Sequence, residues 1–384
     1  LSGLLIPQDN AAEAALIPNA RIFPVNHLLE AIRFISADIA MDPFVSSPLF
    51  TNPLTTGHDF KNVAGQENIK RALEIAAAGG HHTLISGYPG TGKTMSVKCL
   101  PSILPPMTDN EIIETTKIHS LHSSRIQQLI SHRPFREIHH TISAAGLVGG
   151  GAQAAPGEIT YAHNGVLFMD EFTECKTSVL EALRQPLEEK KVNMARAGIT
   201  VEYPAAFMLV AAMNPCACGY FGHPMKKCTC SPRALWWHRR RLSGPILDRF
   251  DLYATTEMTE AHEIFNPPEG NESSAAIRTG VINARQIQMK RLNRYPNITC
   301  NAQLLHDLVQ QYCSPDEYAR KFLQRSWERL RFSHRGLDKI LKVARTIADL
   351  HGNEYIELPD IAEAIHYKSI DPSNELIKKR KHHE

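Results

Sequence analysis

The chain has 384 residues with 42 Lys+Arg against 40 Asp+Glu, and it is 43% hydrophobic and 21% charged. At about 150 residues per domain this predicts two or three domains with ample core, and it excludes wholesale disorder or a fibrous fold. Eight cysteines in a chain of this length do not make a disulfide scaffold, so a reducing, cytoplasmic setting is expected.

Residues 1–45 read as a small βαβα unit. Strand Leu4–Ile6, a turn at Pro7–Asn10 and helix Ala11–Leu16 are followed by strand Arg21–Val25 and helix Asn26–Ile35. No basic-then-apolar leader opens the chain, and a first residue Leu1 rather than Met suggests a piece of a longer gene product. Pro43, Pro48, Pro53 and Gly57 mark a linker, set at residues 46–58. A long αβ region, residues 59–264, comes next. The break Asn266–Ser274 falls in a second linker, 265–275, before a helical part at 276–384. There Leu337, Ile340, Leu341, Ala344, Ile347 and Ala348 recur at helical spacing, which predicts an amphipathic helix of about four turns. The longest apolar run, Phe207–Met213, is far too short for a membrane span, so no membrane partner is expected. Net charge is uneven: Arg278–Arg345 holds 14 Lys/Arg and 5 Asp/Glu. That balance suits either a nucleic-acid partner or helices coated with cations.

The stretch Gly87-Tyr-Pro89-Gly90-Thr91-Gly92-Lys93-Thr94 matches G-x-x-x-x-G-K-[ST]. A buried strand at His82–Ser86 can precede it and a helix at Lys93–Leu100 can follow, the context a phosphate-binding loop requires. Backbone N–H groups would cradle the phosphates of ATP, Lys93 would neutralise them, and the Thr94 hydroxyl would sit on Mg²⁺. Val166–Met169 reads as a buried strand ending in Asp170 and Glu171, the first to hold Mg²⁺ and the second to polarise the attacking water. A third apolar strand, Phe207–Met213, ends in Asn214, placed to bond that water or the γ-phosphate. Arg249 and Arg335 then stand where developing negative charge would want a cation; a surface ion pair is the plainer alternative for each.

Cys216-x-Cys218 and Cys228-x-Cys230 lie nine residues apart on one Gly-containing loop. Zn²⁺ ligation, free thiols and redox chemistry are the three readings, and His223 could replace one ligand. Trp236–Arg241 (WWHRRR) joins aromatic surface to positive charge, which fits single-stranded nucleic acid or a subunit interface equally. Thr141–Ala155 reads as a flexible Gly/Ala-rich insert. Lys191–Tyr203 reads as a β-hairpin about an Arg196-Ala197-Gly198 turn, either extending the sheet or offering Lys191 and Arg196 to phosphates.

In this order and spacing the chain resembles AAA+ ATPases of the magnesium-chelatase type, and within them the bacterial ComM/YifB group. The likeness spans essentially the whole chain and rests on Gly65-Gln-Glu67, His139-His-Thr141, Pro156-Gly-Glu-Ile159, Leu183-Arg-Gln-Pro-Leu-Glu188 and Met213-Asn-Pro-Cys-Ala-Cys-Gly219. Arg136-Glu137-Ile138 departs from the usual small-residue and proline step before the His pair. The resemblance implies an α/β fold: a three-layer P-loop sandwich on a parallel sheet with a β-hairpin insert and a C-terminal all-helical lid. It makes Lys93 and Thr94 Walker A, Asp170 and Glu171 Walker B, Asn214 sensor 1, Arg249 the arginine finger and Arg335 sensor 2. Residues 1–45 would be the remnant of a Lon-protease-like domain, without protease chemistry because the first lysine is Lys61. The implied activity is that of a hexameric, ring-forming ATPase moving on single-stranded or branched DNA, with branch migration in natural transformation as its task. The alternatives are a motor for metal insertion into a tetrapyrrole and a protein-remodelling module.

Overall fold

The computed structural model describes residues 3–15, 20–45, 57–121, 129–151, 154–196, 199–258, 271–295 and 297–369. The end of the first predicted helix, most of both linkers, the Ala197-Gly198 turn and residues 370–384 lie outside them. The chain divides into two units, Leu1–Pro53 with Pro106–His132, and Leu54–Pro105 with Arg133–Glu384.

In the first unit, β1 (Leu4–Pro7) and β2 (Ile22–Val25) pair in parallel, Leu4 opposite Ile22, with helices Ala11–Ala14 and Leu28–Ile35 following in the predicted alternation. Helix Leu28–Ile35 leaves Leu28, Leu29, Ile32 and Ile35 exposed. Helix Asp109–Ser120 opens on a capping box in which Thr108 and Glu111 bond each other's backbone N–H. Met107 and Ile112 form a small separate core there.

The second unit is built on a five-stranded parallel sheet in the order β11 (Leu252–Thr255), β3 (Thr83–Ser86), β10 (Met208–Met213), β7 (Val166–Met169), β4 (Phe135–Ile138). Every residue of β7 and β10 is buried, which is why both read as unbroken apolar runs. Alternate side chains divide between two cores. Ile85, Val166, Phe168, Val210, Ala212, Leu252 and Ala254 join one, while Leu84, Leu167, Met169, Leu209, Ala211, Met213 and Tyr253 join the other. Because all five strands run the same way, the residues that follow them collect along one edge of the sheet. That edge is where an open α/β sheet presents its ligand site.

The first core continues into the C-terminal helices Ser274–Arg291, His306–Tyr312, Glu317–Leu330, His334–His351 and Leu358–Ser369. The predicted amphipathic helix is His334–His351, capped by Ser333, with Ile340, Ala344, Ile347 and Ala348 buried. Much of the basic charge of this region is structural. Arg345 is 2% exposed, binding Asp349 and the carbonyls of Asn353 and Glu354. Arg291 also binds Asp349, Arg285 reaches the Ala77 carbonyl, and Lys339 pairs with Asp251 at 2.8 Å. The positive balance of Arg278–Arg345 is therefore in part taken up by packing, within the C-terminal helices at Asp349 and against Ala77 and Asp251. Nearby, His81 is fully buried and bonds Thr346, and burial holds its imidazole below the usual histidine range.

The hairpin forms as predicted, β8 (Lys191–Arg196) against β9 (Ile199–Pro204), with Arg196 opposite Ile199. Lys191 pairs with Glu202 at 2.8 Å across it. The Gly/Ala-rich segment is anchored rather than wholly flexible. Helix Ala144–Val148 buries Leu147, and β5 (Gly149–Gly150) pairs with β6 (Ala155–Pro156). Gly149 is held so closely that a Cβ there would lie 2.5 Å from the Ala155 carbonyl. Among the described residues no helix is long and apolar enough to cross a membrane.

Candidate nucleotide site

The loop Gly87–Gly92 joins β3 to helix Lys93–Lys98. Gly90 and Gly92 have φ of +78° and +85°, values that L side chains avoid, and a Cβ at either would meet nothing within 4 Å. The loop is thus shaped by left-handed backbone and leaves open space over it, a cradle that fits a chain of phosphates. Gly87 is excluded from carrying a side chain for another reason: its Cβ would lie 2.0 Å from Thr256 Oγ1. Thr91 steadies the turn by donating to the Tyr88 carbonyl at 2.8 Å, and Pro89 stands between them in sequence. Lys93 Nζ folds back to donate to the Gly87 carbonyl at 2.7 Å, the Tyr88 carbonyl at 2.8 Å and Asn214 Oδ1 at 3.1 Å. The lysine after the glycine-rich loop and the asparagine after the third apolar strand therefore meet.

Burial pushes the Lys93 ammonium down to about 8, although Asp170 and Glu171 pull the other way. Its charge is full below that value and is lost as pH rises through it, whereas a bound triphosphate would favour the charged form. Nucleotide affinity should therefore be level at pH 6–7 and fall above pH 8 by up to about tenfold per unit. Calorimetric titration with a non-hydrolysable ATP analogue at pH 7, 8 and 9 measures this, and equal affinity at all three would contradict it.

Asp170 follows β7 and sits between two partners. Its Oδ2 accepts from Thr94 Oγ1 at 2.6 Å and its Oδ1 from the Glu171 N–H at 2.8 Å. A hydroxyl and a carboxylate brought together beside a phosphate cradle are the hard oxygen donors that Mg²⁺ takes, so the residues present fit that ion. Glu171 has φ +49°, outside the usual range for a residue with a Cβ, and its carboxylate lies half-exposed 2.7 Å from His140 Nδ1. His140 lies just beyond β4, its ring centre 4.1 Å from that of His139 with the rings tilted by 36°. Its place at Glu171 was not read from the sequence, where the His pair stood out only as part of a family-like stretch.

Arg249 and Arg335 are brought together, but on a carboxylate that sequence reasoning passed over. Arg249 Nη2 donates to Glu188 Oε2 at 2.6 Å and Arg335 Nη2 to Glu188 Oε1 at 2.9 Å. Among the described residues neither bonds the P-loop of its own chain. Arg249 Nε is buried with no hydrogen-bond partner. Arg136 makes a two-pronged bond to Glu158, at 2.6 and 2.8 Å.

The four cysteines converge. All four Sγ atoms lie within 4.8 Å of one another, with Cys216–Cys218 at 3.4 Å, Cys218–Cys228 at 3.5 Å and Cys216–Cys228 at 3.8 Å. The Cys218 N–H points at Cys230 Sγ at 3.4 Å. Backbone N–H groups of Tyr220 and Thr229 bring the Cys218 thiol down, while burial pushes that of Cys216 up. His223 is not a member of the cluster: its Nδ1 accepts the N–H groups of Met225 and Lys226 at 3.0 and 2.9 Å, which closes the loop's own turn. Cys99, Cys175, Cys300 and Cys313 are each buried and apart, as small hydrophobes. Trp236 and Trp237 are about half-exposed on helix Pro232–Arg240, Arg240 lying 4.4 Å over the Trp236 ring.

Comparison with known proteins fits this arrangement. The description "Magnesium chelatase, subunit ChlI" matches residues 59–264, and "Magnesium chelatase, subunit ChlI C-terminal" matches residues 271–368. Competence protein ComM of Haemophilus influenzae is 39% identical over 373 residues, 96% of this chain and 72% of that protein. The uncharacterized protein YifB is 38% identical in Salmonella typhimurium, over 96% of this chain and 71% of the relative, and 38% identical in Escherichia coli over the same shares. With its five-stranded parallel sheet, P-loop edge and helical C-terminal region, the chain belongs to the magnesium-chelatase family of AAA+ ATPases, in the ComM/YifB group.

Proposed function

We propose that the chain is the motor part of a ring-forming, hexameric ATPase that works on DNA and extends strand exchange between incoming and resident DNA. The observation that carries this is a division of labour. At the ends of the parallel strands Lys93 bonds Asn214, and Asp170 bonds Thr94 and the Glu171 N–H, whereas Arg249 and Arg335 of the same chain bond Glu188. A site with its own arginines elsewhere is completed by those of a neighbour, which makes the ring the active unit.

In this reading Gly87, Pro89, Gly90, Thr91 and Gly92 wrap the phosphates of ATP and Lys93 binds the β- and γ-oxygens. Glu171, released from His140, takes a proton from the water that attacks the γ-phosphorus, and Asn214 holds that water in line. Thr94 and Asp170 would hold Mg²⁺, which would supply positive charge to the triphosphate. Arg249 and Arg335 of the adjoining subunit stabilise charge as the bond to the leaving oxygen breaks. The relative named competence protein ComM supports the DNA reading, as do the exposed Trp236, Trp237 and Arg240. The four-cysteine cluster is proposed to hold Zn²⁺. Residues 1–45 are proposed as part of a separate Lon-like unit, and 59–264 and 276–384 as ATPase core and lid.

The test is ATP turnover with and without forked or single-stranded DNA. Several-fold stimulation is expected; a rate indifferent to both DNAs would remove DNA from the account. A second reading, a motor for metal insertion into a tetrapyrrole, is favoured by the matched family description, and stimulation by a tetrapyrrole-binding partner protein in place of DNA would select it.

A further inference from the structure

Residues 214–231, between β10 and helix Pro232–Arg240, contain no helix or strand. Such a segment has neither a sheet ladder nor a helix to fix it, yet it is packed directly on the phosphate loop. Gly219, at φ +83°, lies so close to Pro89 that a Cβ there would stand 2.4 Å from Pro89 Cγ. The Tyr88 ring lies 4.7 Å from that of His223, and the Tyr88 hydroxyl is 3.6 Å from the Cβ position of Gly222. On the other side, His238 Nε2 lies 3.1 Å from the Asn214 carbonyl, so the segment begins at a residue that itself bonds Lys93. What gathers the segment is the cysteine cluster. Tetrahedral zinc with Zn–S bonds of about 2.3 Å places its sulfurs about 3.8 Å apart. The distances of 3.4, 3.5 and 3.8 Å among Cys216, Cys218 and Cys228, with Cys230 inside the same 4.8 Å limit, match such a ligand set. Four sulfurs in mutual contact make a cage, whereas disulfides would sort them into two pairs.

From these contacts we infer that Zn²⁺ held by Cys216, Cys218, Cys228 and Cys230 braces the nucleotide site, fixing Tyr88 and Pro89 through Gly219 and His223, so that metal and nucleotide stabilise each other's binding. The inference rests on the P-loop being the nucleotide site. Binding coupled through shared packing is reciprocal, so each ligand must raise the equilibrium affinity of the other by the same factor, and part of that gain is read as slower release. A cage that only stapled the loop, without this coupling, would hold its metal equally well whether or not nucleotide was present.

The experiment uses the full chain. Metal analysis of the purified protein should give about one zinc per chain; under about 0.2 equivalents overturns the metal site. Zinc release is then followed with a thiol-reactive mercurial and a chromogenic chelator, with and without a non-hydrolysable ATP analogue whose binding is established separately by titration. Bound analogue should slow release by about fivefold or more, and Tyr88→Ala should retain its zinc while losing most of that protection. Equal release rates with analogue shown to be bound overturn the brace. Failure of the zinc-loaded chain to bind analogue overturns the P-loop reading and the coupling with it, and the zinc content still decides the metal site. The variant Cys228→Ser need not fold, which is why the wild-type release rate and Tyr88→Ala carry the decision.

Discussion

Glu171→Gln should reduce ATP turnover by about 10²–10⁴, the range a positioned general base supplies, with nucleotide affinity nearly unchanged. The separation follows from the geometry. Lys93 bonds Gly87, Tyr88 and Asn214, and Thr94 bonds Asp170, all without the Glu171 side chain; only the Glu171 backbone N–H bonds Asp170. Its carboxylate faces His140 instead. A Gln of the same length keeps the left-handed turn's backbone role and loses only basicity, so nucleotide should be bound and held, trapping the assembled ring. Single-turnover measurements together with analogue titration check this, and turnover at the parental rate would mean that another group activates the water. The partner residue sharpens the test. His140→Ala frees the Glu171 carboxylate, so basal turnover should rise if the pair holds the base aside, while the double variant should match Glu171→Gln alone.

The parts of the molecule that could be read from residues are those whose reasons are local or periodic. β7 and β10 are buried on both faces, so their apolar runs announced them, and the P-loop's glycines announced left-handed turns that only glycine makes at low cost. Helix His334–His351 showed its buried face at helical spacing and starts three residues before the first apolar position, because Ser333 caps it. Strand β4, Phe-Arg-Glu-Ile, did not announce itself: it is an edge strand whose Arg136 binds Glu158 and whose Glu137 faces Lys98. The Glu188 pairings join residues 61 and 147 positions apart, and His140–Glu171 joins two loops at separate strand ends. No spacing rule connects such positions; only the tertiary fold brings them together. The Gly/Ala-rich insert misled in the other direction, since glycines that looked like freedom serve in part as close packing at Gly149. Local charge was likewise a poor guide where Arg291 and Arg345 turn inward to Asp349.

Arg249→Ala should lower turnover by about 10³–10⁵, the worth of an arginine at a transferring phosphoryl group, and mixing it with Lys93→Ala subunits should restore part of the activity. Neither variant turns over ATP efficiently alone: one binds nucleotide and lacks the finishing charge, the other offers the charge and cannot grip the phosphates. In a mixed ring, an intact P-loop next to an intact arginine arises at some interfaces, and only there. The Glu188 cluster predicts how Arg335 behaves in the same experiment. Because Arg249 and Arg335 share one carboxylate, at 2.6 and 2.9 Å, Arg335→Ala should complement Lys93→Ala in the same way. An arginine that closed over its own chain's nucleotide would leave the mixture of Arg335→Ala with Arg249→Ala active at some interfaces. If both act across one interface, that mixture places both defects on the same partner face, so any interface presents only one of the two arginines and stays at the single-variant level. Turnover of the three pairwise mixtures, measured after unfolding-free subunit exchange at low concentration, separates the two arrangements. Restoration in none of the mixtures, with each variant shown to assemble, would return both arginines to the role of an ion pair on Glu188.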